Sequence, residues 1–234
     1  MAEIKRFNPN NDKFVGSDLD QRLEMEAKLK DVNNRIESLG EDGTPLDKAL
    51  LTLEKAHVLL ALGKKKDIWP DGRAAFDVLV ENNHWQQAAE ICDVMYQSEQ
   101  EEPIKALIHG IWLAVSFPVH PEVSISLLEH FVDETPPTAD GAAVAAATAH
   151  YLVGLRASDE EFENLNFLST SLLSHVARGH SQVDTQDVMD FWMEKLELKD
   201  PSIFLPRLSK VINALVPGDE WWYDRDKLRE MFPQ

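Results

Sequence analysis

The chain has 234 residues, 44% apolar and 27% charged, with 23 Lys and Arg against 41 Asp and Glu for a formal net charge of −18. That length fits one large domain, or one domain with extensions, and the composition excludes collagen-like, mucin-like and wholly disordered chains. So acidic a chain repels phosphate backbones and anionic lipid, which argues against nucleic acid and membrane as partners and leaves solubility, or the steering of a basic protein partner, as the role of the charge.

No apolar run approaches the ~20 residues of a membrane span, and the first residues, Met1 to Asn8, lack the apolar core of a secretory signal. Cys92 is the single cysteine. An internal disulfide and a cysteine-based zinc site are therefore excluded, and a reducing cytoplasm is the expected location. Cys92 lies in a helix-period run and is expected to pack as a small hydrophobe.

Residues 1–16 are polar, with Asn8-Pro9-Asn10-Asn11 as a turn, and predict an irregular arm. Ser17 then reads as the N-cap of a charged helix over 17–39, with Leu19, Leu23, Leu29, Val32, Ile36 and Leu39 as a narrow stripe and Gly40 as its stop. Such a stripe packs on a neighbouring helix or on a second copy, so helix 17–39 is the candidate route to a homo-oligomer. Thr44-Pro45 opens a second helix that ends at Gly63; its apolar face includes Leu53, Ala56 and His57. Pro70 opens a third helix, which Asn82-Asn83 breaks, and His84 to Ser98 is a fourth with Trp85, Ala88, Ala89, Cys92 and Met95 inward.

Pro103 and Pro121 start helices that reach about Phe117 and Glu134. The run from Ala142 to Arg156 is the most apolar, and its alanines let neighbouring backbones approach closely, which predicts a central position. Ser158 and Glu161 read as a capping box for a helix that ends near Gly179. Helices over 185–197 and 201–215 follow, then Trp221-Trp222-Tyr223 and a last short helix from Asp224. Alternating β-branched runs are nearly absent. The sequence thus predicts an all-α fold of roughly eleven helices. Its rhythm between 44 and 156 suggests stacked antiparallel pairs, as in an α-solenoid. The expected organisation is an arm over 1–16, a helical-repeat body over 17–156 and a C-terminal helical segment over 157–234 packed on that body.

The stretch Asn83-His84-Trp85-Gln86-Gln87-Ala88-Ala89-Glu90 resembles the turn and second-helix start of a tetratricopeptide repeat. In that likeness Trp85 is the turn aromatic, Ala88 the small residue where two helices touch, and Leu79 a packing residue of the first helix. Phe76 stands where the family has its glycine, and no second copy follows at the family's roughly 34-residue period. The resemblance implies a concave protein-binding groove rather than catalysis.

Two of the eight histidines fall in Glu-x-x-His frames, Glu54–His57 and Glu81–His84. Glu and His three apart share a helix face, and paired copies hold di-iron in ferritin-like bundles. Here the second frame crosses the Asn-Asn break, so Glu54 and His57 stand only as the weaker, metal-carrying or enzymatic alternative. His57 and His150 lie in apolar runs and read first as core residues, each satisfied by one hydrogen bond. No nucleophile elbow, phosphate loop or metalloprotease frame occurs, and no catalytic residue or cofactor is assigned.

The leading expectation is a non-catalytic adaptor, scaffold or assembly factor that holds a protein partner, possibly a basic one. No Lys or Arg occurs between Lys105 and Arg156, so Glu122, Glu129, Asp133 and Glu134 are the candidate contact residues. Trp221, Trp222 and Tyr223 join them as hot-spot residue types, with a clasp that docks the last helix as the competing reading. The alternatives are the Glu54/His57 enzyme or metal bundle and a homo-oligomeric structural subunit.

Overall fold

A computed structural model describes residues 9–40, 42–218 and 220–231. The elements are α1 (Pro9–Leu39), α2 (Pro45–Ala61), a 3₁₀ turn (Lys65–Asp67), α3 (Trp69–Glu81), α4 (Trp85–Gln97), α5 (Pro103–Ser116), α6 (Pro121–Asp133), α7 (Asp140–Arg156), α8 (Asp159–Ser181), α9 (Gln186–Lys195), α10 (Pro201–Leu215) and α11 (Arg225–Arg229). No strand occurs among the described residues, and no helix among them is long and apolar enough to cross a membrane.

Local chemistry sets most of these boundaries. Proline stands in the first turn of α2, α3, α5, α6 and α10, where its fixed φ suits the helix and its missing N–H costs nothing. Thr44 and Asp47 form a complete capping box on α2: each side chain accepts from the other's backbone N–H. Asp200 and Asp224 cap α10 and α11 in the same sense, through carboxylate oxygens that accept N–H groups of the first turn.

Three local expectations need correction. Residues 9–16 belong to α1, which starts at Pro9 and runs through Ser17; residues 1–8 of the expected arm lie outside the described residues. Proline in the first turn explains the earlier start. At α8 the box is incomplete: the Ser158 hydroxyl donates to Glu161 Oε2 at 2.6 Å but accepts no backbone N–H of the first turn. His57 is exposed. His57 and Ala61, four residues apart, lie at the outer edge of α2, while the core takes Ala49, Leu53, Ala56 and Leu59.

Each helix from α1 to α8 packs on the one that follows it, and α2, α4, α6 and α8 also pack in succession as one layer. α7 is buried at every position from Ala142 to Ala149 and touches α6, α8 and α10. Its central position follows from its small side chains. Cys92 is fully buried beside Gly110, where a Cβ would stand 2.8 Å from the Cys92 Cβ. Only glycine lets α4 and α5 come that close. After α8 the chain reverses its course. α10 lies on α7 and α5 rather than extending the layer of even-numbered helices, and residues 216–231 continue onto α3 and α5.

Candidate functional site

α6 buries Ile125, Leu127, Leu128, Phe131 and Val132 and leaves Glu122, Glu129, Asp133 and Glu134 exposed. The four carboxylates picked out in the sequence thus share one helix. Beside them Ser126, His130 and Glu134, four residues apart, face α4. There the Ser126 hydroxyl meets Asp93 Oδ2 at 3.4 Å, His130 Nε2 lies 3.2 Å from Asp93 Oδ1, and the Tyr96 hydroxyl donates to Glu134 Oε1 at 2.8 Å. Gln97 also donates to Asp93 Oδ2, at 3.0 Å. The Tyr96 and His130 rings stand 4.8 Å apart and form two walls of a cleft of about 550 Å³, completed by Leu60, Lys65, Gln97, Glu99, Pro103 and Glu134.

The electrostatics follow from the carboxylates. The Asp93 carboxylate holds the His130 imidazole above its ordinary range, against the opposing effect of burial, with Asp133 and Glu129 adding to it. Burial, then the Glu134 hydrogen bond and the charges of Glu134, Asp133 and Asp93, raises the Tyr96 phenol, which therefore stays protonated. Lys65 lines the cleft and is paired with Glu99 at 2.7 Å, and His130, paired with Asp93, is a second basic group in the lining. The arrangement offers a cationic side chain the Tyr96 ring and the Glu134 carboxylate within the cleft, with Glu129 and Asp133 exposed on α6. Among the described residues no group of three or more His, Cys, Asp or Glu is placed to hold a metal ion.

The other candidates lie elsewhere. Glu54 accepts from Arg35 Nη1 at 2.9 Å and ties α2 to α1, while His57 faces solvent. His150 is half-buried, with Nδ1 3.2 Å from the Ser169 hydroxyl. Trp221, Trp222 and Tyr223 turn onto the body: Trp222 stacks on His109 at 4.1 Å and meets Phe76 at 5.2 Å, and Tyr223 lies 5.3 Å from Trp112. They are half-buried, in the manner of a clasp.

Sequence reasoning missed Asp93, Tyr96, Gln97, Ser126 and His130. The signal that could have found them is the spacing of helix pairs. α4 and α6 start 36 residues apart, at Trp85 and Pro121, and the contacting residues are separated by 33 and 38. Comparison with protein-family models, with curated proteins and with solved structures gives no match for this chain.

Proposed function

We propose that this chain is a non-catalytic binding module, an adaptor, scaffold or assembly factor, whose α4–α6 face grips a basic segment of a protein partner. The observation that carries the reading is the cleft walled by Tyr96 and His130 beside the exposed carboxylates Glu122, Glu129, Asp133 and Glu134. Charge supplies the complementarity: of the basic groups lining the cleft, Lys65 is engaged by Glu99 and His130 by Asp93, and Glu129 and Asp133 stand exposed on α6. The repeat reading belongs with it. The contacts of α2 with α4, α4 with α6 and α6 with α8 support a solenoid reading, as does the likeness of the Asn83–Glu90 turn before α4 to a tetratricopeptide repeat.

The test is a screen of Lys/Arg-rich and matched neutral peptides against the protein and against a variant with all four α6 carboxylates changed to Ser. Binding of basic peptides only, weakened at least tenfold in the variant and weakened by salt, supports the face. Equal binding to the variant removes it.

A second reading rests on α1, where Leu19 and Leu23 are 56% and 54% exposed while Leu29 and Val32 seat on the body. The free part of that stripe suits a homo-oligomeric subunit joined through helix 17–39. Light scattering of a Leu19→Ser/Leu23→Ser variant decides it: a mass equal to that of an oligomeric parent, or a monomeric parent, rejects this role.

A further inference from the structure

We propose that residues 217–231 are an acid-released strap over an aromatic trough on α3 and α5, and that a proton on His109 Nε2 undocks them. His109 sits mid-helix on α5 and is fully buried. Its Nδ1 lies 2.6 Å from the Lys105 carbonyl oxygen, which can only accept, so Nδ1 carries the hydrogen. That leaves the Nε2 lone pair, which accepts the Trp222 backbone N–H at 3.0 Å. One added proton sets N–H against N–H across that distance, and the bond that seats the strap is lost.

The surroundings oppose the imidazolium further. Burial is the largest effect; the hydrogen bond to the Lys105 carbonyl works against it, and the cations Arg73 on α3, Lys105 one turn earlier on α5 and Arg225 in the strap add to it, so that His109 is pushed down to about 3. Among the acids near these cations, Glu220 of the strap lies on Lys105 at 3.4 Å, Asp77 is taken by Arg73, and Asp226 acts on Arg225. Cys92 on α4 and Tyr223 in the strap are held neutral by burial.

The sign follows. His109 binds a proton more tightly when the strap is open, so docking is fully supported above the ordinary value of 6.5 and is lost progressively as pH falls below it. The strap is set off from the helices of the body by a glycine joint. It is joined to α10 through Pro217-Gly218, and a Cβ at Gly218 would meet nothing within 4 Å. Opening bares Trp69, Phe76 and Trp112 and presents Trp221, Trp222 and Tyr223 outward, residue types that dominate binding hot spots. This device is independent of the α6 face.

Hydrogen exchange of the full chain, read by mass spectrometry and corrected for the chemical rate, tests it. Between pH 7.5 and pH 5 the protection of residues 216–231 should fall by about 30-fold while that of α7 stays constant. His109→Gln, whose amide can still donate to Lys105 and accept from Trp222, should flatten the dependence. An NMR titration in which the His109 imidazole and the Trp222 amide change together gives the same answer without a substitution. Protection of the strap that is flat over this range, or that falls only in step with α7, overturns the proposal.

Discussion

Arg156 closes a stretch of fifty residues that holds no Lys or Arg, and its guanidinium donates to three carbonyl oxygens, those of Ala114 at 2.6 Å, Val115 at 3.0 Å and Val119 at 3.2 Å. These lie at and just beyond the end of α5, where helical carbonyls lack partners and the helix dipole is negative. The rigid fork meets all three at once, which a lysine ammonium on its flexible stem cannot. Arg156→Lys should therefore lower stability by about 1–3 kcal/mol in urea denaturation although the charge is kept; an unchanged midpoint would show that charge alone suffices there. The position of Arg156 after a cation-free stretch is visible in the sequence, but its acceptors are 37 to 42 residues away and carry no side-chain signature. His109 is a stronger case. Nothing local separates it from seven other histidines, because the group that satisfies it, the Trp222 amide, lies 113 residues downstream.

Helix starts were legible because proline and short polar caps announce them, and a left-handed stop was legible only where its residue is one that favours that conformation. Gly40, Gly63 and Asn83, with φ of 54°, 70° and 61°, could be read from the sequence as stops. Glu99, Gln182 and Glu197 occupy the same conformation at the ends of α4, α8 and α9, with φ of 55°, 55° and 54°, and neither Glu nor Gln signals it. A Cβ in that region costs roughly 1–2 kcal/mol. Gln182→Gly and Glu197→Gly, at two exposed positions, should each raise stability by up to about 1 kcal/mol, the gain being trimmed by the greater freedom of glycine in the unfolded chain. Thermal unfolding checks this, and a fall in the midpoint would mean that these side chains stabilise the ends in another way. The α6 carboxylates were legible as exposed because they alternate with an apolar face of helical period. His57 was misread because periodicity gives the width of an apolar face and not which edge of it the neighbouring helices cover.

Across the whole molecule, pairing of adjacent helices followed from short loops and was legible, whereas the return of α10 onto α7 and α5 was not, since no residue of the 196–201 loop specifies which face the chain turns to. That return matters for cooperativity. In an open stack each unit touches only its neighbours, so its parts can unfold separately. Here Phe204 of α10, 2% exposed, stands edge-on to Tyr151 of α7 at 5.9 Å, and Trp222 and Tyr223 reach Phe76 on α3 at 5.2 and 5.9 Å. The last elements of the chain thus bind three helices of its middle, and α3 cannot lose its packing without freeing the residues that follow α10. Urea unfolding should therefore be a single transition at neutral pH, with far-UV circular dichroism and tryptophan fluorescence coincident. Phe204→Ala removes about 3–5 kcal/mol from the α7–α10 contact and nothing from α2–α6. In that variant the part of the fluorescence change that comes from Trp221 and Trp222, two of the six tryptophans, should move to lower urea than the loss of helix. Separate transitions in the unaltered protein would mean instead that its helix pairs behave as an open array and that the fold-back contributes little to holding them together.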